Sequence, residues 1–268
     1  MDLKELSGLP IYLESDNVVR FDPGVCIDET KARLLDELTE VYLDKAACRG
    51  SEAAYWMFNG VYEKSDRNRL SQAPVRYELT FFPDKCIGRE FVKAHGHIHK
   101  PEPRSGIDYP EICEVLSGTA HFFFQTLDPD GPSATEAFYV EVKAGEKIVI
   151  PPGYDHLTIN PGPGPLLFAD VVALGCGGIY DRFKKAGGAA YLEIEQAGQA
   201  RFIPNPKYIS LPALRKGVPR EFENLDLVKG RPLYTSFVEN VGMTWQFLWR
   251  PEQFKAIFPD LNTLFIFS

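Results

Sequence analysis

A chain of 268 residues, 44% of them hydrophobic, is long enough to bury a full core as one large domain or a domain with sizeable extensions, and it is not a disordered chain. The formal net charge of −8 and pI near 5.3, with no run of Lys and Arg, argue against a sequence-independent grip on nucleic acid or on an anionic membrane. Five cysteines (Cys26, Cys48, Cys86, Cys113, Cys176) are odd in number, widely spaced and free of any C-x-x-C, which fits reduced thiols rather than a disulfide framework or a zinc knuckle.

The opening "MDLKELSGLP" has no apolar h-region, and the most apolar window, "PLLFADVVALG", is about half a membrane span and carries Asp170, so a cytoplasmic protein is expected. In "IDETKARLLDELTEVYLD" the residues Leu34, Leu35, Leu38, Val41 and Tyr42 fall at helical spacing behind Asp28, which predicts a capped amphipathic helix. From about residue 76 to 205 the texture changes to short β-branched and aromatic runs: "VRYELTFF", "EICEVL", "AHFFFQTL", "AFYVEV", "KIVIPP" and "GPLLFADVVAL". Turn signals "DPDG", "AGE" and "NPGPGP" separate them, the spacing of an antiparallel sandwich or barrel. The proline-rich tail ends in a short predicted helix, "PEQFKAIF". The expected plan is an N-terminal extension over 1–74, a barrel over 75–205, and an extension over 206–268 that wraps the barrel.

Four of the five histidines fall within 27 residues, from His95 to His121. In "HGHIH", His95, His97 and His99 alternate with Gly96 and Ile98, and alternate residues of a strand share a face, so the imidazoles can converge on one point. A metal would use that geometry. Period two also puts Cys113 on the same face as Glu111 and sends Glu114 to the other. Cys113 reads as a small buried hydrophobe, with a soft neighbour of the metal as the alternative. His121 reads as a structural or pocket-wall residue.

After the H-x-H and 11 further residues stands Glu111, then Gly118; later comes "GEKIVIPPGYDHLTIN" with Gly145, Pro151, Gly153, His156 and Asn160. These spacings resemble the two motifs of the cupin superfamily, the second at every fixed position. The resemblance implies an all-β double-stranded β-helix, a jelly-roll-like barrel, with His97, His99, Glu111 and His156 as ligands. Such a set suits one divalent ion, Fe(II), Mn(II), Ni(II) or Zn(II), with positions left open.

The runs "GHIHK", "YPEICEVLSGTAHFFFQ", "IPPGYDHLTIN", "KKAGGAAYLEIEQ" and "FIPNPKY" look like the cupin-type glucose-6-phosphate isomerases of archaea and some bacteria, in the same order. This implies a metal-dependent isomerase of glucose 6-phosphate and fructose 6-phosphate, an enzyme of glycolysis and gluconeogenesis, and a homodimer. Glu111 matches the family's candidate base and Tyr180 a tyrosine near the sugar. Thr80, Gly96 and Tyr109 are expected at the substrate. The sequence departs from the family at Ala94, where a phosphate-binding threonine is usual, and Lys100 and Arg104 of the insertion "KPEPRSGIDYP" are the expected cationic replacement. A histidine that some shorter members carry is Gly178 here. Two other readings remain: a cupin Fe(II) dioxygenase, and a non-catalytic sugar-binding cupin.

Overall fold

The computed structural model describes residues 1–128, 133–240 and 244–268. Two large sheets face each other. One has six strands in the order Lys147–Ile150, Glu111–Ser117, Leu166–Ala173, Val75–Phe82, Ala53–Glu63, Val25–Leu34, every neighbour antiparallel. The other has five, in the order Asp155–Ile159, Thr119–Leu127, Ala134–Lys143, Arg215–Pro219, Phe265–Phe267, with one parallel pairing, between the third and fourth. This is the double-stranded β-helix expected of a cupin, and each of the six apolar runs read as strands is one. Residues 129–131 of the "DPDG" turn lie outside the described residues. Among the described residues no helix is long and apolar enough to cross a membrane.

The core fills the space between the sheets with aromatic side chains. Phe122, from the five-stranded sheet, meets Phe168, from the six-stranded one, edge to face at 5.7 Å, and Phe168 stacks against Phe82 at 6.2 Å. Rings that pack this way contribute beyond the area they bury and hold the two sheets at a fixed separation.

The amphipathic helix predicted around residues 28 to 44 does not form. Val25–Leu34 is a strand paired with Ala53–Glu63, and only Asp36–Leu38 makes a short 3₁₀ turn. The apolar residues Leu35, Leu38, Val41 and Tyr42 are buried, but by irregular chain rather than by a helical stripe. Ladder hydrogen bonds to a long neighbouring strand outweigh a helical preference worth tenths of a kcal/mol per residue. The Glu37 carboxylate then closes the strand, accepting from the Leu34 amide at 2.7 Å and from Arg33 Nη1 at 3.0 Å.

Two pieces of the tail, Arg215–Pro219 and Phe265–Phe267, extend the five-stranded sheet, while the chain around Val228–Leu233 packs on the outer side of the six-stranded one. Glu114 does point away from the barrel interior, yet it is buried there: Lys147 Nζ donates to it at 2.7 Å, and the backbone amide of Leu233, at the start of the Leu233–Asn240 helix, donates at 2.7 Å. Lys147 Nζ also donates to the Val228 carbonyl at 2.9 Å. A buried charge is tolerated only when paired and fully hydrogen-bonded, and here the tail supplies part of that pairing. Glu114→Ala is therefore expected to destabilise the fold by about 3–5 kcal/mol, because it strands Lys147. Glu114→Leu combined with Lys147→Met should recover most of the loss. Urea unfolding checks both; equal midpoints for wild type and Glu114→Ala would contradict the account.

Candidate metal centre and active site

The segment carrying the histidines is tied to the five-stranded sheet by backbone. The His97 amide donates to the His156 carbonyl at 3.0 Å and the His156 amide to the His97 carbonyl at 2.8 Å, so the two motifs meet residue to residue. Gly96 has φ +83°, and a Cβ there would sit 3.0 Å from the Phe183 ring, so both backbone conformation and space demand glycine. The result is that His97, His99 and His156 place one ring nitrogen each within 4.8 Å of one another.

The donor set fits a divalent cation. His99 Nδ1 lies 2.7 Å from the Tyr109 carbonyl and His156 Nδ1 lies 3.1 Å from the Tyr154 carbonyl. A carbonyl only accepts, so Nδ1 carries the proton in both rings and Nε2 is the atom left to ligate. Burial pushes His97 well below the ordinary imidazole value and takes His156 down to about 4, which keeps both neutral as ligands must be. His99 differs. Burial works against its proton, but Cys176 and Glu111 beside it outweigh burial and hold it well above the ordinary value. Its Nε2 lies 3.2 Å from Glu111 Oε2. Without metal the surroundings of His99 favour its proton, with both nitrogens engaged, and a cation at the site would take the place of a proton on Nε2.

Glu111 stands at the edge of the cluster. Its Oε1 accepts from the Cys113 thiol at 3.0 Å, so Cys113 is a hydrogen-bonding neighbour of the carboxylate and not only a hydrophobe. Burial would raise the Glu111 carboxyl; the hydrogen bond and charge of His99 bring it below its ordinary value instead.

The cluster opens into a cavity of about 280 Å³ lined by strand residues at period two. Arg76, Glu78 and Thr80 come from one strand and Tyr55, Met57 and Asn59 from the next. Lys31 and Arg33 come from the edge strand, and Tyr180 from the loop that follows the Gly178–Ile179 bridge. Of the residues singled out in the sequence, His97, His99, Glu111, His156, Thr80 and Tyr180 line this cavity, together with His95. The Tyr180 ring lies 5.4 Å from His97 and 5.0 Å from His95. Gly178 is held by contact: a Cβ there would fall 2.9 Å from both the His97 and Tyr180 rings.

Four other residues singled out in the sequence fall outside the cavity lining. Neither Lys100 nor Arg104 lines it; the Arg104 side chain is 83% exposed and pairs with Glu102 at 3.2 Å. The cavity's cations are Lys31, Arg33 and Arg76. Gly96 and Tyr109 also fall outside the lining and serve the frame, one as the turn before His97, the other through the carbonyl that orients His99. His121 belongs to the opposite side, bonded through Nδ1 to Glu193 at 2.7 Å. Lys31 and Arg33 had a signal in the sequence: read as a strand, "ETKAR" puts Glu29, Lys31 and Arg33 on one face.

A family model described as Glucose-6-phosphate isomerase (GPI) matches residues 31–208. Curated relatives carry the same name. That of Thermococcus onnurineus is 27% identical over 212 residues, covering 78% of this chain and 99% of its own. That of Thermococcus gammatolerans is 28% identical over 212 residues, with the same coverage, and that of Pyrococcus horikoshii is 28% identical over 195 residues, covering 71% and 94%.

Two outcomes are expected of the centre. Elemental analysis should find about one divalent ion per chain, lost in a His97→Ala, His156→Ala double variant. Adding Zn(II) to metal-free protein in weakly buffered solution at pH 7 should release up to about one proton per chain, read by an indicator dye, because His99 alone of the three is shifted toward its protonated form. Binding without proton release would contradict that shift.

Proposed function

The chain belongs to the glucose-6-phosphate isomerase family, and from that membership and the cavity we propose that it interconverts glucose 6-phosphate and fructose 6-phosphate with one divalent ion, Fe, Mn, Ni or Zn, held by His97, His99, Glu111 and His156. The observation that carries this reading is the convergence of three imidazoles, His99 and His156 buried and His97 half-buried, beside the half-buried Glu111 carboxylate in a cavity whose lining also carries Lys31, Arg33 and Arg76. A cation bound there supplies electrostatic stabilisation to the two adjacent sugar oxygens as charge builds on them.

The protein's own groups do the proton work. Glu111, held in its ionised form, takes the proton from C2 of the aldose and returns it to C1, through an enediolate. The Cys113 thiol fixes one oxygen of that carboxylate, which leaves a single geometry for the transfer. Tyr180, packed between His95 and His97, has its ring held in place and is the group placed to move a proton between the sugar oxygens or to open the ring. Thr80, across the cavity, offers a hydroxyl to the substrate. The burial of the centre keeps bulk water from the enediolate and strengthens each of these interactions.

An isomerase works without oxygen and with more than one metal, whereas an Fe(II) dioxygenase needs both oxygen and iron. A coupled assay on fructose 6-phosphate under argon, after loading with Mn(II) or Zn(II), is expected to show turnover; none with any of the four metals would refute the isomerase. Metal-saturated Glu111→Gln is expected to bind sugar phosphate yet turn over at least about 10²-fold more slowly, since an amide can ligate but cannot take the C2 proton. Wild type in deuterated water should wash deuterium into C2. A fully active Gln variant together with no exchange in wild type would instead indicate a hydride shift.

A further inference from the structure

Arg33 is the one cation of the cavity whose buried edge is left without a partner. Its side chain is 20% exposed, and its Nε is buried with no hydrogen-bond partner. Lys31, by contrast, is more than half exposed and pairs with Glu29 at 2.8 Å, and Arg76 pairs with Glu78. A buried guanidinium N–H that nothing accepts is rare in a folded protein and marks a place where an acceptor belongs.

The guanidinium is also held still. Nη1 donates to Glu37 at 3.0 Å, the group lies 5.6 Å from the centre of the Tyr180 ring, and the Tyr55 hydroxyl stands beside it from the adjacent strand. The same Tyr55 hydroxyl accepts from the His95 amide at 3.2 Å, which ties the arginine to the segment bearing the metal ligands. With Nη1 engaged by Glu37, the Nε edge is the part of this cavity-lining guanidinium that still lacks an acceptor. That edge presents parallel N–H groups, the fork that matches two oxygens of a phosphate. His95, another lining residue, has in Nε2 a second buried polar atom without a partner; its Nδ1 faces the Gly96 carbonyl at 3.1 Å, so in the neutral ring Nε2 is an acceptor, complementary to a hydroxyl.

We propose that Arg33 is the phosphate anchor of this site, gripping two oxygens of a sugar phosphate through its Nε edge while the reacting carbons lie at the histidine cluster. This supplies a phosphate contact in place of the hydroxyl missing where Ala94 replaces a threonine, from an edge strand rather than from the insertion beside the metal. Tyr180 stands between the two ends, its ring 5.4 Å from His97 and 5.6 Å from Arg33, so one substrate lying along it reaches both. The inference rests on the isomerase reading for the identity of the ligand.

The test is calorimetry of metal-loaded wild type, Arg33→Gln and Arg33→Lys with glucose 6-phosphate, beside the isomerase assay on the same samples. The Gln variant is expected to bind about 10- to 100-fold more weakly, the scale of a charge-assisted hydrogen-bond pair, with Lys between, because it keeps the charge and loses the fork. Inorganic phosphate should inhibit wild type competitively and the Gln variant at least about ten-fold less well. An arginine that only props Tyr180 would instead depress turnover and leave both affinities in place. If thermal melts show that the Gln variant does not fold, the Lys variant decides: affinity equal to wild type overturns the fork. An active wild type whose Gln variant binds within about two-fold overturns the Arg33 assignment alone. An inactive wild type that still binds glucose 6-phosphate through Arg33 overturns the isomerase reading alone, and one that does not bind overturns both.

Discussion

Two backbone hydrogen bonds, exchanged between His97 and His156, are what the centre depends on. The residues lie far apart in the chain, and each comes with its own neighbours: Gly96, His99 and the Tyr109 carbonyl on one side, Tyr154 and the Asp155–Ile159 strand on the other. Reciprocal pairing fixes the two segments in register, so three rings converge. Side-chain orientation is then a local matter, settled by carbonyls that only accept. Buried imidazoles so placed are costly to protonate, and two of the three stay neutral for that reason.

The same burial shapes the rest of the cavity. Glu78, Glu111 and Asp170 face the space from neighbouring strands, and Asp170 is pushed well above the ordinary carboxyl value, by burial first and then by the two other carboxylates. Arg76 offsets part of this field, being paired with Glu78. The carboxylates gather on the metal side, while Arg33 stands next to Tyr55 and Tyr180. A hexose phosphate has a matching asymmetry, with hydroxyls and a carbonyl at one end and a dianion at the other.

The parts legible in the sequence are those written in local spacing. The H-x-H, Glu111 and the Pro151-to-Asn160 run hold their residues at fixed separations because each lies on a single strand or turn, and period two separated Glu111 from Glu114. What sequence could not supply was pairing between distant segments. "IDETKARLL" has a helical stripe and an alternating face at once, and only the neighbouring Ala53–Glu63 strand decides between them. A helical stripe does not mark Arg33 and Lys31 as facing one site, whereas a strand does, and the cations nearest the histidines in sequence lie in the insertion. Glu114 was placed on the correct face, but its burial depends on Leu233 and Val228, more than a hundred residues away along the chain.

Gly178 carries a consequence for any redesign of this site. A Cβ there would fall 2.9 Å from the rings of His97 and Tyr180 at once, so a larger residue at this position requires one of those rings, or the Gly178–Ile179 strand paired with Ile98–His99, to give way. A change made on this loop is therefore transmitted to the histidine cluster by contact alone, with no bond between the two.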